Sequence, residues 1–304
     1  MSRPTRKHRG PRDRGSALLT VLWLSAALSA IAFAMAMTVR GETDRAATAV
    51  DDLRSYYLAS SGVERAAMEL LWSATGSRTL IPNDATDVDY TFPSGVTHVE
   101  IISEASKLDV NRASPEALLK LMTALGVEGG RASTIAAAIV DWRSPGGGIG
   151  QFDSYYLSAT PSFQAPHASF QEIEELLSVR GVTPDIFYGT WAPAGNGDPA
   201  KSALVRHAGL IDCLTVYGSF GSVDAHGAEP AVLAAVGGTS GGSGAGMRMQ
   251  GNATFTFRST ARLRLSNGQF SDMKRTVGAQ VKYMVDASET PYHVLRWYDT
   301  AWSY

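Results

Sequence analysis

The feature that most constrains this chain is a run of twenty-five uncharged residues, 15–39, close to its start. The run, GSALLTVLWLSAALSAIAFAMAMTV, is apolar enough and long enough to cross the roughly 30 Å hydrocarbon core of a bilayer as one helix. Arg3, Arg6, Lys7, Arg9, Arg12 and Arg14 precede or abut it against Asp13 alone, a net of +5 over residues 1–15. The remainder holds 21 bases and 28 acids, a net of −7, a split that the near-neutral total of 27 bases and 29 acids conceals. Positive charge on the leading flank keeps that end in the cytoplasm, so the bulk of the chain is exported.

No second run of this kind occurs, which excludes a multi-span transporter. A hydrophobic fraction of 44% excludes a disordered or collagen-like chain. The 304 residues suffice for about two domains, each with its own core. A lone cysteine, Cys213, forms no internal disulfide and excludes zinc sites built on several thiolates.

Two kinds of processing fit an N-terminal apolar run. A secretory signal peptide would use residues 18–31 as its hydrophobic region and an A-x-A site at Ala30/Ala32 or Ala32/Ala34. The run is longer than the roughly 7–15 residues such regions need, and it continues into a second helix-compatible stretch. Between Glu42 and Trp72 there is no proline and one internal glycine, Gly62. Val50, Leu53 and Tyr57, then Val63, Ala67, Leu70 and Leu71, recur there at helical spacing. One helix over 16–72 would be about 85 Å long, apolar in its first half and amphipathic in its second.

The segment RGSALLTVLWL, Arg14 to Leu24, resembles a prepilin-type signal, and the two-part helix resembles the stem of a pilin. The resemblance implies that a prepilin peptidase cuts between Gly15 and Ser16 and methylates Ser16, leaving the anchor in place. Pilins and major pseudopilins usually carry Phe and Glu at the first and fifth mature positions; here these are Ser16 and Thr20. A carboxylate in lipid is expensive unless paired, as it can be with the terminal amine of a neighbouring subunit. A tip subunit has no subunit ahead of it to neutralise. In lacking that Glu the chain is similar to one family, the K-type minor pseudopilins of the type II secretion system (general secretion pathway protein K), and Thr20 would mark the tip position in assembly.

After Trp72 a Gly, Pro, Asn and Asp-rich stretch, 76–89, reads as a loop leading to a strand over 96–102. In LDVNRASPEALL, residues 108–119, Ser114 is placed as N-cap, Pro115 at N1 and Glu116 in the first turn of a helix running to about Leu125. A second helix, 132–142, stops at Ser144-Pro145-Gly146-Gly147-Gly148. Residues 170–179 read as helical, with a restart after Thr183-Pro184, and residues 218–233 echo 110–118. These units read as helix-hairpin-helix elements in tandem. K-type pseudopilins resemble this: a pilin body interrupted by a large α-helical, SAM-like insertion with a D-W (Asp141-Trp142) and a nearby Y-Y (Tyr155-Tyr156). Residues 237–246 read as a Gly-Ser loop. Alternation over 254–265 and 277–285 around Asn267-Gly268 predicts a hairpin with a two-residue turn, and 294–298 a further strand.

The expected fold is therefore α+β, a pilin-like long N-terminal helix packed on an antiparallel sheet with a helical insertion. The expected segments are a leader over 1–15, the membrane part of the helix over 16–39, the amphipathic helix and first strand over 40–102, the insertion over 103–250, and the C-terminal β part over 251–304. The resemblance implies assembly at the tip of a periplasmic pseudopilus with I-type and J-type minor pseudopilins. The major pseudopilin, the inner-membrane assembly platform and prepilin peptidase would be further partners. The chain would be a single-pass protein of a bacterial inner membrane with its bulk in the periplasm.

Hairpin-helix units also bind DNA phosphates, so an exported, membrane-anchored DNA-binding protein of the competence type is the rival. The first hairpin turn, Leu125 to Arg131, has one acid and one base, and 106–246 lacks a clustered basic patch, so nucleic acid is not the expected partner. Catalytic chemistry has no footing. His8, His98, His167, His207, His226 and His293 show no ligand spacing and read as structural, and Cys213 reads as a buried thiol in a strand-like run, 210–216. No cofactor is required. The resemblance implies one ligand, a structural calcium ion, for which Asp141 and Asp153 are the only acids flanking the loop after the D-W.

Overall fold

In this computed structural model the described residues are 13–74, 81–82, 85–146, 150–193, 204–218, 223–237, 252–284 and 291–299. The chain divides into two compact units, Met1–Arg54 and Ser55–Tyr304. Helix α1 (Asp13–Ala74) contributes to both. The leader residues 1–12, the Gly-Ser loop from residue 238 on, and the Gly147-Gly148 stop lie outside the described residues.

In the first unit the side chains from Ala17 to Val50 are all exposed, and the membrane-competent stretch has a mean hydropathy of 2.1 with none of it buried. The hydroxyls of Thr20, Ser25, Ser29, Thr38, Thr43 and Thr48 each donate to a carbonyl three or four residues back. A polar group in lipid has no water to bond, and these back-bonds satisfy the hydroxyls inside the helix.

The second unit takes the rest of α1 and then, in chain order, β1 (Asp87–Phe92), β2 (Gly95–Ser103), β3 (Leu108–Asp109), α2 (Pro115–Ala124), α3 (Gly129–Arg143), α4 (Asp153–Leu157), α5 (Pro184–Tyr188), β4 (Thr190–Pro193), β5 (Leu204–His207), α6 (Leu210–Cys213), β6 (Leu214–Thr215), α7 (Pro230–Ala235), β7 (Asn252–Arg264), β8 (Phe270–Met284) and β9 (Tyr292–Tyr298). Five strands form one antiparallel sheet in the order β1-β2-β7-β8-β9. Ser103 at the end of β2 sits opposite Phe255 near the start of β7, so the residues between them leave and rejoin the sheet at one place.

The stem packs on this sheet through a stripe at Ser55, Leu58, Ala59, Gly62, Val63, Ala66, Ala67, Leu70 and Leu71, the i, i+3, i+4 pattern of one helix face. That stripe excludes Tyr57, and Val50, Leu53 and Tyr57 are exposed instead of sharing the apolar face. Small residues let the backbone come close. A Cβ on Gly62 would lie 2.4 Å from Ser259 Oγ and 2.9 Å from Thr97 Oγ1. The opposing residues Val99, Ile101, Phe255, Phe257, Ala279, Val281 and Tyr283 fill the core, and the Tyr283 hydroxyl donates to the Ala67 carbonyl at 2.9 Å. Buried Glu69 accepts from Tyr90 Oη at 2.7 Å and from Arg65 Nε at 3.0 Å, so its charge is paired where it is desolvated.

The segment between β2 and β7 has a separate core of Leu118, Leu121, Met122, Ile135, Ile139, Trp142, Tyr156, Phe170, Leu176 and Phe187, among others. Trp142 stacks on Phe170 at 6.0 Å and meets Tyr156 edge-on at 5.4 Å. α2 starts as its sequence dictates, with Ser114 Oγ accepting from Ala117 N at 3.1 Å and Pro115 at N1.

Several expectations are corrected. α3 begins at Gly129, three residues early, because the Glu128 side chain caps it. Residues 170–179 are not an α-helix but a 3-10 turn over Ile173–Ser178, at whose start the Glu175 carboxylate accepts from the Gln171 and Glu172 amides at 2.8 and 3.0 Å. The strand-like run around Cys213 is the helical turn α6 followed by the two-residue β6, which pairs in parallel with β3. The echo at 218–233 keeps only α7, with 219–222 outside the described residues. The β7–β8 turn has three residues, not two: Leu265 N–H bonds Gln269 O at 2.8 Å and Gly268 takes φ +85°. The loop read over 76–89 already contains the start of β1.

Candidate functional site

Gly15 and Ser16 fall in the first turns of α1, and Thr20 lies exposed one turn further on with its Oγ1 donating to Ala17 O at 2.8 Å. A threonine so bonded adds no charge to the apolar surface, the condition under which the stretch can sit in lipid without a partner for a carboxylate.

The LDVNRAS motif proves to be a set of backbone ties. Asp109 Oδ1 accepts from Asn111 N at 2.8 Å, and Asn111 then pairs with the backbone of Phe170, accepting from its N–H at 2.7 Å and donating to its carbonyl at 3.0 Å. Arg143, at the end of α3, donates to the carbonyls of Val110 and Ala113. These bonds satisfy loop backbone that no helix or strand pairs, and they lock the start of α2 to the end of α3.

The hairpin turn between α2 and α3 carries a different message. Glu128 accepts from Gly130 N at 2.8 Å and Arg131 N at 3.0 Å, and those amide bonds hold its carboxyl below the ordinary range. Arg131 itself donates to Gly181 O and Thr183 Oγ1. The amides that a DNA phosphate would take at such a turn are occupied by a carboxylate, and the nearby cation is engaged elsewhere.

Asp141 and Asp153 do come together, and a third residue joins them. One ligand atom each from Asp141, Asp153 and His167 lie within 4.8 Å of one another. Asp141 accepts from Gln151 N at 3.1 Å and Phe152 N at 3.4 Å, and Asp153 from Gly150 N at 2.7 Å. His167 has its Nδ1 3.1 Å from the Asp141 carbonyl oxygen and its Nε2 3.0 and 3.2 Å from the two Asp153 oxygens. Gly150 has no room for a side chain, since a Cβ would lie 2.4 Å from His167 Cε1 and 2.9 Å from Asp141 Oδ2. The Asp141 carbonyl first, then the Asp153 carboxylate, hold the imidazole pKa above its usual value. Calcium wants six to eight oxygens. The described residues here converge two carboxylates and a nitrogen, a donor set that does not fit it.

His167 was invisible as a partner because it stands 26 residues from Asp141 and 14 from Asp153, with no periodic element linking them. Of the other histidines, His98 pairs with Asp89 at 2.8 Å on the sheet surface. Cys213 is fully buried, and burial pushes its thiol up to about 12, which removes it as a nucleophile at neutral pH.

A cleft of about 450 Å³ opens between the insertion and the sheet. Many of its charges pair with one another: Arg296 with Glu172 and Glu174, Arg258 with Glu100, Lys107 with Glu104, and Arg206 with Asp212. The Arg296 pairs tie β9 of the sheet to the insertion, whereas the other three pairs each lie on one side of the cleft.

Residues 99–189 match the family described as Type II secretion system (T2SS), protein K. The chain is similar in fold to a chain of the GspK-GspI-GspJ complex from the enterotoxigenic Escherichia coli Type 2 Secretion System, with a TM-score of 0.57 and 14% identity over 85% of this chain and 100% of that one. No curated protein matches. The segment that matches opens in β2 and closes in the turn after α5, so it takes in the aromatic core, the LDVNRAS ties and the carboxylate–histidine cluster. Matching segment and shared fold together support the resemblance to a minor pseudopilin of the type II secretion system, of the protein K family.

Proposed function

We propose that this chain works as a minor pseudopilin at the tip of a periplasmic pseudopilus. It is cut between Gly15 and Ser16 by prepilin peptidase, methylated at Ser16, and held in a bacterial inner membrane by a single pass through residues 16–39. There it joins I-type and J-type minor pseudopilins above the major pseudopilin, on the inner-membrane assembly platform, and supports protein secretion across the outer membrane. The role is assembly, not catalysis: apolar stems pack side by side, and the bulk of the insertion leaves no place for a further subunit above it.

The observation that carries this reading is the union, in one chain, of an exposed uncharged anchor helix with the 99–189 segment that matches T2SS protein K. The partner assignment draws on the similar structure, a complex in which K, I and J components occur together. The competence-type rival is weakened by Glu128, whose carboxylate sits on the amides a phosphate would need.

The test is co-purification of the full chain, in detergent, with the I-type and J-type pseudopilins of the same bacterium. A complex that survives gel filtration supports the tip role. Failure to associate, joined to salt-sensitive DNA binding, would transfer the assignment to the rival. Replacing Gly15 tests the processing step separately: the precursor should persist in cells that hold prepilin peptidase, whereas a mature end after Ala32 or Ala34 would show signal-peptidase cleavage.

A further inference from the structure

We propose that the cleft between the sheet and the insertion binds an aliphatic amine, whose N–H groups complete Gln280 and whose positive charge is balanced by Glu229. The first observation lies on the face of the sheet turned away from the stem. Pairing sets Glu100 beside Arg258, Thr256 beside Gln280, and Gln280 beside Arg296, and all five residues line the cleft. Gln280 is only 9% exposed, and its Oε1 is buried with no hydrogen-bond partner. Buried polar atoms are nearly always bonded, because an unmade bond forfeits the hydration given up on folding. Both cross-strand neighbours that could donate are committed. Thr256 gives its hydroxyl to Glu104 at 2.6 Å, and Arg296 gives its guanidinium to Glu172 and Glu174. A donor on a ligand completes the oxygen that the chain leaves bare.

The second observation is charge. The lining holds eight carboxylates against four lysines and arginines. Arg258, Lys107 and Arg206 are each bonded to one of these carboxylates, and Arg296 to two. Among the described residues this leaves Asp87, Asp224 and Glu229 without a lysine or arginine partner. Glu229 is half-buried, and the cations whose field it feels, Arg206 and Lys107, are bonded to Asp212 and Glu104 instead. Burial, then Asp212, accordingly raises its pKa. A cation entering the cleft would favour its ionised form.

The rest of the lining selects the kind of cation. Ile211, Val216 and Tyr217 add an apolar wall, from which a methylene chain gains and a bare metal ion does not. An ammonium group has three donors and no acceptor, which suits a lining rich in acceptor oxygens. The volume of about 450 Å³ is that of a small-molecule site. Such a group arrives on a free polyamine or on a lysine of another polypeptide, two sources with one chemistry. The inference rests on the cleft and stands apart from the proposed assembly role.

The test is isothermal titration of the full chain, in detergent at low salt, with spermidine and in parallel with a capped glycine-lysine-lysine-glycine peptide. Saturable binding of one probe per chain is expected, and Gln280→Leu and Glu229→Gln should each weaken it by about 10-fold or more. Glu229→Gln removes a burdened carboxylate and should be no less stable than the parent at neutral pH, so its loss of binding is not loss of fold. Glu64→Gln, which removes the same charge from an exposed position on the stem, should leave the affinity unchanged. Tighter binding of spermidine supports the site with a free polyamine as its ligand, and tighter binding of the peptide supports it with a partner's lysine. No saturable binding of either probe, or an affinity unchanged in both cleft variants, overturns the proposal. An affinity that falls equally in Glu64→Gln also overturns it, leaving only diffuse attraction to an acidic surface.

Discussion

The two cores of the second unit solve one problem in different ways. In the sheet body a long helix lies on long paired strands, so nearly all backbone groups are bonded inside regular elements and stability rides on close contact and apolar area. In the insertion the helices are short, α3 being the longest at 15 residues, and every short helix leaves the same number of unpaired end groups as a long one. Side chains fill the deficit: Asn111 on Phe170, Arg143 on Val110 and Ala113, Glu128 on Gly130 and Arg131. The body is specified by shape and the insertion by polar ties.

The strongest blow to the body should be Gly62→Leu. With only 2.4 Å to Ser259 Oγ, the new side chain must lift the helix from the sheet, at a cost of about 3 kcal/mol or more. Chemical denaturation should show it, and Gly62→Ala should also destabilise although alanine is the better helix former. Next, Leu121→Ala should cost about 2–5 kcal/mol by opening a cavity in the insertion core. Hydrogen exchange then tests the comparison itself: amides of α2 and α3 should lose protection before those of β7 and β8. Equal loss in both would mean that contacts across the cleft, the Arg296 pairs with Glu172 and Glu174 among them, make the two cores one cooperative unit.

A smaller effect, about 1–3 kcal/mol, is expected for Asn111→Ala, which leaves the Phe170 amide and carbonyl unpaired. Its thermal shift should exceed that of any single hydroxyl deletion in the sheet. The smallest effect, roughly 1 kcal/mol or less, should come from Glu229→Gln. Burial, then Asp212, raises the Glu229 pKa above its ordinary value of 4.5. A carboxyl raised in the folded state gives its full support below that ordinary value and loses it as pH rises through the folded one. The variant should thus be more stable than the parent at neutral pH and equal to it in acid, as pH-dependent unfolding would record.

How much of this could be read from residues depends on how local the cause is. The uncharged run, the apolar face of the stem from residue 58 on, and the Ser114-Pro115 start of α2 are each written within a few neighbouring positions. β1 has no such signature because it is an edge strand, with only Tyr90 of its six residues buried, so it lacks alternation. IEELLS, 173–178, has helix-forming composition but winds as a 3-10 turn, a change of hydrogen-bond register that composition does not encode. Asp141 and Asp153 stood out by their closeness to the D-W, whereas His167 reaches them only after the chain has rounded α4 and returned to Trp142, whose carbonyl takes the Ala168 amide at 3.1 Å.

The junction at Ser103 and Phe255 has one more consequence. Neighbouring strands are about 4.8 Å apart, so from the standpoint of the sheet the whole insertion is a hairpin loop grown very large. Chain added or removed there leaves the strand order and register untouched. The stem and sheet are thereby a chassis, and the insertion a replaceable head. Excising it for a short turn should leave the stem and five-stranded sheet folded, and exchanging it would change what the molecule presents without redesigning that body.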